Sequence, residues 1–344
     1  MSTYKYPLAD PGAIEEHFGV KIAPTVDVMR SLGASNSSMA LGLSPYGNQH
    51  SVKADLLARS ERKEGDQLSR GSELEPLIYQ LVLPTLALSG HTAVLPFDSP
   101  SIQVMPHMHC SPDGIIVDKN SGVAQGVLEI KSNMDMFKPY DIERPDHNMQ
   151  VRQCAWGVSK TWPNADKHMR ESMLVCLAAS EDSFTLLRNA IKKDGLQAAV
   201  SLAREMIDID MARLHVATID PDIEGFERDI VPKLSDWYKK HIVLDQMPPI
   251  DGSNECRDAL MLSFDERHGV MEVSDTIISL AERKLEIREV IKKLKEEDAN
   301  VSNHLIRALG PHERAFGEGV SVTIGKKHRI YVKRREVRDG SEEK

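Results

Sequence analysis

A chain of 344 residues with 41% hydrophobic and 28% charged side chains is long enough for two or three domains, and no apolar run approaches the roughly 18 residues of a membrane-spanning helix. Lys and Arg total 43 against 52 Asp and Glu, a formal charge of -9, which excludes a protein that coats nucleic acid with its whole surface but allows a local basic channel. Aromatic residues are only 5%, against an RNA-type stacking platform, and the dispersed Cys110, Cys154, Cys176 and Cys256 lack a C-x2-C spacing and read as reduced thiols.

The opening MSTYKYPLADPGAIEEHFG has neither a basic start nor an apolar h-region, so a cytoplasmic location and no membrane association are expected. The segment TVDVMRS, 25–31, reads as helical, and the small polar residues 32–38 read as a turn feeding a helix N-terminus, a place where a phosphate can be held. Residues 42–47 form a loop, 52–58 begin a helix, 60–71 are a charged connection, and LEPLIYQLVLPTLALSG is an amphipathic helix ending at Gly90.

From about 101 the period shortens. Residues 102–109 alternate in places, 114–117 and 126–131 are apolar strands, and DKNSG between them is turn chemistry, together a β-meander around a hairpin. Helices at about 148–160, 183–206 and 223–241 then alternate with strands at 173–178 and 214–219, which predicts an α/β core with a mixed sheet flanked by helices. After QMPP the composition shifts, so the division expected is a domain over 1–245 and a C-terminal part over 246–344. In that part 271–309 is one long helical pattern with Leu280, Ile287, Leu294 and Val301 every seven residues, interrupted by Lys284 and Asp298, as in a helical arm or short coiled coil. The tail GVSVTIGKKHRIYVKRREVRDG alternates like a β-hairpin and carries Lys326, Lys327, Arg329, Lys333, Arg334, Arg335 and Arg338, either a solvated edge or a contact for DNA phosphate.

The chemistry concentrates in SPDG and LEIK. Glu129 and Lys131 are two apart on a strand, so both leave the same face, and Asp113, one hairpin earlier, can lie beside Glu129 on the neighbouring strand. D-x15-E-x-K alone is a weak signal, because charges alternate on many exposed strands. Here the charges are embedded in apolar strands, where they are unfavourable unless paired or bound to a metal. Hard cations such as Mg²⁺ prefer oxygen ligands, so Asp113, Glu129 and the carbonyl of Ile130 make a plausible open site, with Lys131 favouring the hydroxide form of an attacking water. His107 and His109 beside Cys110 have no second ligand pair at a useful spacing and read as ordinary histidines, and Trp156 and Trp162 read as core.

Four ordered blocks resemble the phage-type exonucleases of the YqaJ and lambda exonuclease group, within the PD-(D/E)xK nuclease superfamily. LGASNSSMALGLSPYGN looks like that family's serine-bearing first block, RGSELEPLIYQ like its G-x-x-L-E-P helix, SPDGII with GVLEIKS is similar to its DG…EIK core, and HNMQVRQCAWGV to its glutamine helix. The resemblance covers about 28–241 and implies a restriction-endonuclease-like core. It implies Asp113 and Glu129 as metal ligands with the Ile130 carbonyl, Lys131 as the catalytic lysine, Glu75 as the acidic residue of the preceding helix with Glu73 as its rival, and Gln150 bordering the site. It also implies Ser35, Ser111, Arg30 and Gln153 near a 5′-phosphate. Arg152, between the glutamines, departs from the family pattern.

The activity so implied is a Mg²⁺-dependent 5′-3′ exonuclease on double-stranded DNA ends, with Mn²⁺ as a substitute, leaving 3′ overhangs for phage-type recombination by strand annealing. The absence of G-x4-G-K-[ST] fits independence from ATP. A homo-oligomeric ring, commonly a trimer, and a single-strand annealing partner of the Red-beta or RecT kind follow from the same resemblance, with the acidic exterior as a docking face. The same residues equally serve a structure- or site-specific endonuclease, and a DNA-end-binding protein without cleavage is the reading from another class.

Overall fold

The computed structural model describes residues 7–59, 66–95, 101–134, 144–262, 274–317, 320–325 and 330–334. They fall into two compact units, 1–265 and 266–344. The first is an α/β unit with a mixed five-stranded sheet in the order β1-β4-β5-β6-β7, formed by β1 (His91–Val94), β4 (Gly114–Asp118), β5 (Ala124–Asn133), β6 (Met173–Ala179) and β7 (Ala212–Thr218). Only β5 and β6 run parallel, and the crossover between them is the helix α5 (Pro145–Thr161). A separate hairpin pairs β2 (Ile102–Met105) with β3 (Met108–Cys110).

The central strand β5 divides two cores by its own alternation. Leu128 and Ile130 join the core built by α4 (Asp66–Leu88), α6 (Glu181–Asp194) and α7 (Leu196–Asp208), while Val127 joins the core holding Met149, Val151 and Cys154 of α5. Gly126 lies where a Cβ would come within 2.4–2.6 Å of the Glu171 and Ser172 backbone, so the entry to β6 closes on β5 only because no side chain stands there.

Several elements differ from the sequence expectation. Residues 25–31 are not helical. Their backbone instead bonds outward, Arg30 N–H to the Leu56 carbonyl (3.0 Å) and Ser31 N–H to that of Pro7 (3.1 Å), consistent with the weak helix propensity of Thr25, Val26 and Val28. An unexpected helix α1 (Pro11–Phe18) has its signals in plain view: Asp10 caps it, Pro11 opens it and Gly19 closes it. The helical stretch 183–206 is two helices, broken at Gly195, whose φ of 87° lies outside the helical region. The expected 52–58 helix starts earlier, as α3 (Gln49–Leu56), because Asn48 and Ser51 form a capping box. The small polar segment is itself the short helix α2 (Ala34–Ala40). After β7, α8 (Ile223–Gly225) continues through a π-turn (Phe226–Ile230), α9 (Val231–Tyr238) and a second π-turn (Lys239–Val243).

Residues 246–262, assigned above by composition to the C-terminal part, belong to the first unit. Their helix α10 (Asn254–Leu262) packs on α3, and the Pro249 carbonyl bonds His50 Nε2 at 2.9 Å. The second unit holds the expected long helix, α11 (Asp275–Leu309), with Leu280, Ile287, Leu294 and Val301 exposed. The tail forms an antiparallel sheet of three strands, β10-β9-β8, over β8 (Arg314–Gly317), β9 (Val320–Ile324) and β10 (Ile330–Arg334), rather than a two-stranded hairpin. Lys333 lies on β10, whereas Lys326, Lys327, Arg329, Arg335 and Arg338 lie outside the described residues. No described helix is long and apolar enough to cross a membrane.

His107 and His109 are packing residues. His109 Nδ1 meets the Ser31 hydroxyl at 2.8 Å, and fully buried His107 sits among His17, Phe18 and Tyr238 with Nε2 2.9 Å from the Ser235 hydroxyl. Burial, with the nearby His17, pushes the His107 pKa down to about 3. Its folded value lies below the ordinary one, so its contribution to stability is present above about pH 6.5 and is lost as pH falls from there toward 3. The unfolding free energy from urea titrations is expected to fall across that window more steeply for the natural protein than for His107→Gln, by up to roughly 1.4 kcal/mol per pH unit. Equal slopes for the two proteins would refute it.

Candidate functional site

The cluster forms where β4 stops. Gly114 pairs with Leu128, and beyond that point β5 continues without a β4 partner. Asp113 occupies the gap, and its Oδ2 accepts the Ile130 N–H at 2.7 Å, in place of a strand carbonyl. The N–H and C=O of one strand residue leave by the same edge, so the Ile130 carbonyl opens on the side where Asp113 sits. Glu129 and Lys131 leave the α5 face. The Lys131 ammonium donates to Glu129 Oε1 and, at 3.0 Å, to Gln150 Oε1 on α5. The Glu129 side chain is 1% exposed, and its second oxygen, Oε2, has no hydrogen-bond partner among the described residues.

Burial raises the Asp113 pKa well above the usual carboxylate value, and the charges of Glu129 and Glu75 add to the effect, outweighing Lys131 and the Ile130 N–H. Burial acts on Lys131 in the opposite sense, but Glu129 and Asp113 overcome it and hold the ammonium above the ordinary lysine value. Among the described residues, the three carboxylates Asp113, Glu129 and Glu75 thus lie about the Lys131 ammonium. A buried carboxylate oxygen without a donor is unfavourable in a folded protein unless a cation completes it. The donor set is carboxylate and carbonyl oxygen, which suits Mg²⁺ or Mn²⁺ rather than a thiophilic ion.

The helix α6 separates Glu73 from Glu75. Glu73 accepts from Arg188 at 2.5 and 3.1 Å and lies 3.6 Å from the Lys192 ammonium, whereas half-buried Glu75 is the α4 carboxylate whose charge reaches Asp113. Glu75→Gln is expected to lower metal-dependent activity by roughly 10- to 100-fold, as loss of a group supporting a metal site does. Glu73→Gln, which opens a partly solvated ion pair, is expected to leave activity unchanged and to shift stability by less than about 1 kcal/mol. Steady-state rates of the two variants test the assignment, and a larger loss for Glu73→Gln would reverse it.

The remaining expected residues separate. Ser111 lies half-buried in the β3–β4 connection and Ser35 half-buried on α2, a helix packed against α5. Gln153 is fully buried, and its amide donates to the carbonyls of His109 (2.9 Å) and Leu32 (3.4 Å), clasping β3 to the strand entering α2. Arg30 is buried as well and donates to the Asp55 carbonyl at 2.9 Å. Neither presents its side chain to solvent. Arg152 joins α5 to the start of α8, through the Pro221 carbonyl (3.0 Å) and Asp222 (3.3 Å). Trp156 packs in the core against Phe226, and Trp162 packs at its margin.

Sequence reasoning missed two side chains at the start of α5. Arg144 forks onto Asp146 (2.6 and 3.1 Å), bonds the Tyr46 hydroxyl (3.1 Å) and lies over the Tyr46 ring, tying the first sequence block to the glutamine helix. His147 is neutral at physiological pH, because burial and the Lys131 charge outweigh Asp146 and push its pKa down to about 4. Their signal is the charged string ERPDH, which runs into the glutamine block at His147.

Residues 28–158 match the family model of the YqaJ-like viral recombinase domain. That segment contains Glu75, Asp113, Glu129, Lys131 and Gln150, every member of the cluster described above. No curated protein matches the chain.

Proposed function

With residues 28–158 carrying a YqaJ-like viral recombinase domain, we propose that this protein is a Mg²⁺-dependent, ATP-independent 5′-3′ exonuclease that resects double-stranded DNA ends in phage-type recombination. The observation that carries the reading is the convergence of Asp113, Glu129 and Glu75 with an unpartnered buried carboxylate oxygen beside one ammonium. The mixed sheet, with its cluster at the open end of β4 and β5, supports a restriction-endonuclease-like core.

Asp113, Glu129 and the Ile130 carbonyl would hold the ion, with Glu75 reaching it directly or through water. Bound there, Mg²⁺ would supply charge stabilisation at the phosphodiester and a lowered pKa for an attacking water. Lys131, kept protonated by its two carboxylate neighbours, acts as a fixed positive charge that stabilises hydroxide rather than as a base that removes its proton. Gln150 holds the ammonium in place through its amide oxygen. The Asp113 bond to Ile130 N–H fixes the carboxylate against β5. Ser35 and Ser111 would meet a terminal phosphate, a role that rests on the family resemblance. A ring-forming homo-oligomer and a single-strand annealing partner belong to the same proposal and rest on the family resemblance, as does a cytoplasmic site of action.

Release of acid-soluble nucleotides from linear duplexes labelled at the 5′ or the 3′ end, with and without Mg²⁺, tests polarity and metal need together. Early release of 5′ label, only with Mg²⁺ and with closed circles spared, is expected. Cleavage of closed circles would favour the endonuclease reading, which the same residues can serve. No release from any substrate would leave end binding alone.

A further inference from the structure

We propose that His50, Asp251 and Cys256 form a second metal site, for a borderline transition ion of the Zn²⁺ class. One ligand atom from each lies within 4.8 Å of the other two. Ligand atoms about 2.2 Å from a tetrahedral ion are about 3.6 Å apart, so closure asks about 1 Å of side-chain adjustment, which exposed Asp251 can supply.

Two features prepare the site. His50 is 2% exposed, and its Nε2 faces the Pro249 carbonyl at 2.9 Å. A carbonyl only accepts, so the ring proton sits on Nε2 and the lone pair on Nδ1, the tautomer and the backbone hydrogen bond with which a histidine is oriented toward a metal. Nδ1 is itself buried and has no hydrogen-bond partner among the described residues. On the other side, Asp251 Oδ1 accepts from the Ser253 N–H (2.9 Å) and hydroxyl (2.5 Å), and that hydroxyl accepts from Cys256 N–H (3.0 Å), so one serine sets both Asp251 and the first turn of α10. Imidazole, thiolate and one carboxylate are zinc's donors and differ from the all-oxygen set at β5. Binding releases the Cys256 thiol proton to solvent and leaves a fourth position open to water. It would staple α3 to the segment that follows the π-turns.

The test uses the full chain, freed of metal by a chelator and then held in excess Mg²⁺ so that the oxygen cluster is supplied. Zinc alone is added and its retention after desalting measured, and Co²⁺ alone is read by absorption. One retained zinc per chain, a sulfur-to-cobalt charge-transfer band, loss of that band in Cys256→Ser, and affinity weakened on the order of tenfold or more in Asp251→Asn are expected. Because Cys256 is buried, Asp251→Asn decides the matter if the serine variant does not fold. No retained zinc, a band that survives Cys256→Ser in folded protein, or unchanged affinity in Asp251→Asn would overturn the proposal.

Discussion

Lys131→Ala is expected to reduce duplex cleavage by about 10²- to 10⁴-fold, the range for removing a positioned acid–base or charge-stabilising group. Binding to duplex ends, measured with Ca²⁺ in place of Mg²⁺, should survive, because Lys131 is proposed to act on the attacking water rather than to hold the duplex. The same change removes the cation that, among the described residues, bonds Glu129. A fully enclosed pair broken in this way loses roughly 3–5 kcal/mol, and because the Lys131 side chain is 24% exposed, about 2 kcal/mol is expected. The double variant Lys131→Met with Glu129→Gln should recover most of that stability while remaining inactive, since it removes both charges. Cleavage by Lys131→Ala within tenfold of the natural protein would sink the mechanism.

Asp113→Asn should separate activity from stability. Loss of a metal-binding carboxylate is expected to lower activity by roughly 10³-fold or more, several kcal/mol of transition-state stabilisation. The metal-free fold should nevertheless become more stable, by on the order of 1 kcal/mol, because Asn still accepts the Ile130 N–H but carries no charge beside Glu129 and Glu75. The sign follows from the raised pKa. The folded state binds the Asp113 proton more tightly than the unfolded chain, so this stabilisation is fully present below the ordinary carboxylate value and is lost as pH rises through the raised folded value. Ionisation of Asp113 therefore opposes folding. Added Mg²⁺ should therefore raise the Tm of the natural protein and leave that of the variant nearly unmoved. A variant less stable than the metal-free natural protein would contradict the crowding of charge on which the site is built.

Much of the site was legible because its residues violate a local rule. Charges inside GVLEIK stand out against their strand, and Asp113 stands just before a glycine and three apolar residues. What stayed hidden depended on contacts between distant segments. Glu73 and Glu75 look alike on one helix, and only the approach of Arg188 distinguishes them. The 25–31 segment follows a helical apolar spacing, but its backbone bonds belong to residues 7 and 56. The helix α1 is the opposite case, since its ends are written locally in Asp10 and Gly19. His50 and Cys256 could not be paired by spacing, because four-ligand motifs are recognised by short intervals and these two meet only when α10 docks on α3.

The unmatched oxygen of Glu129 has a consequence for the order of assembly. Among the described residues Asp113, Glu129 and Glu75 gather around the Lys131 ammonium, so in the proposed reading an incoming phosphodiester meets carboxylate oxygen until a cation stands between them. Counter-charge must therefore arrive before, or together with, the terminus of the duplex. In the proposed reading, DNA retained in a chelating buffer is held away from these carboxylates.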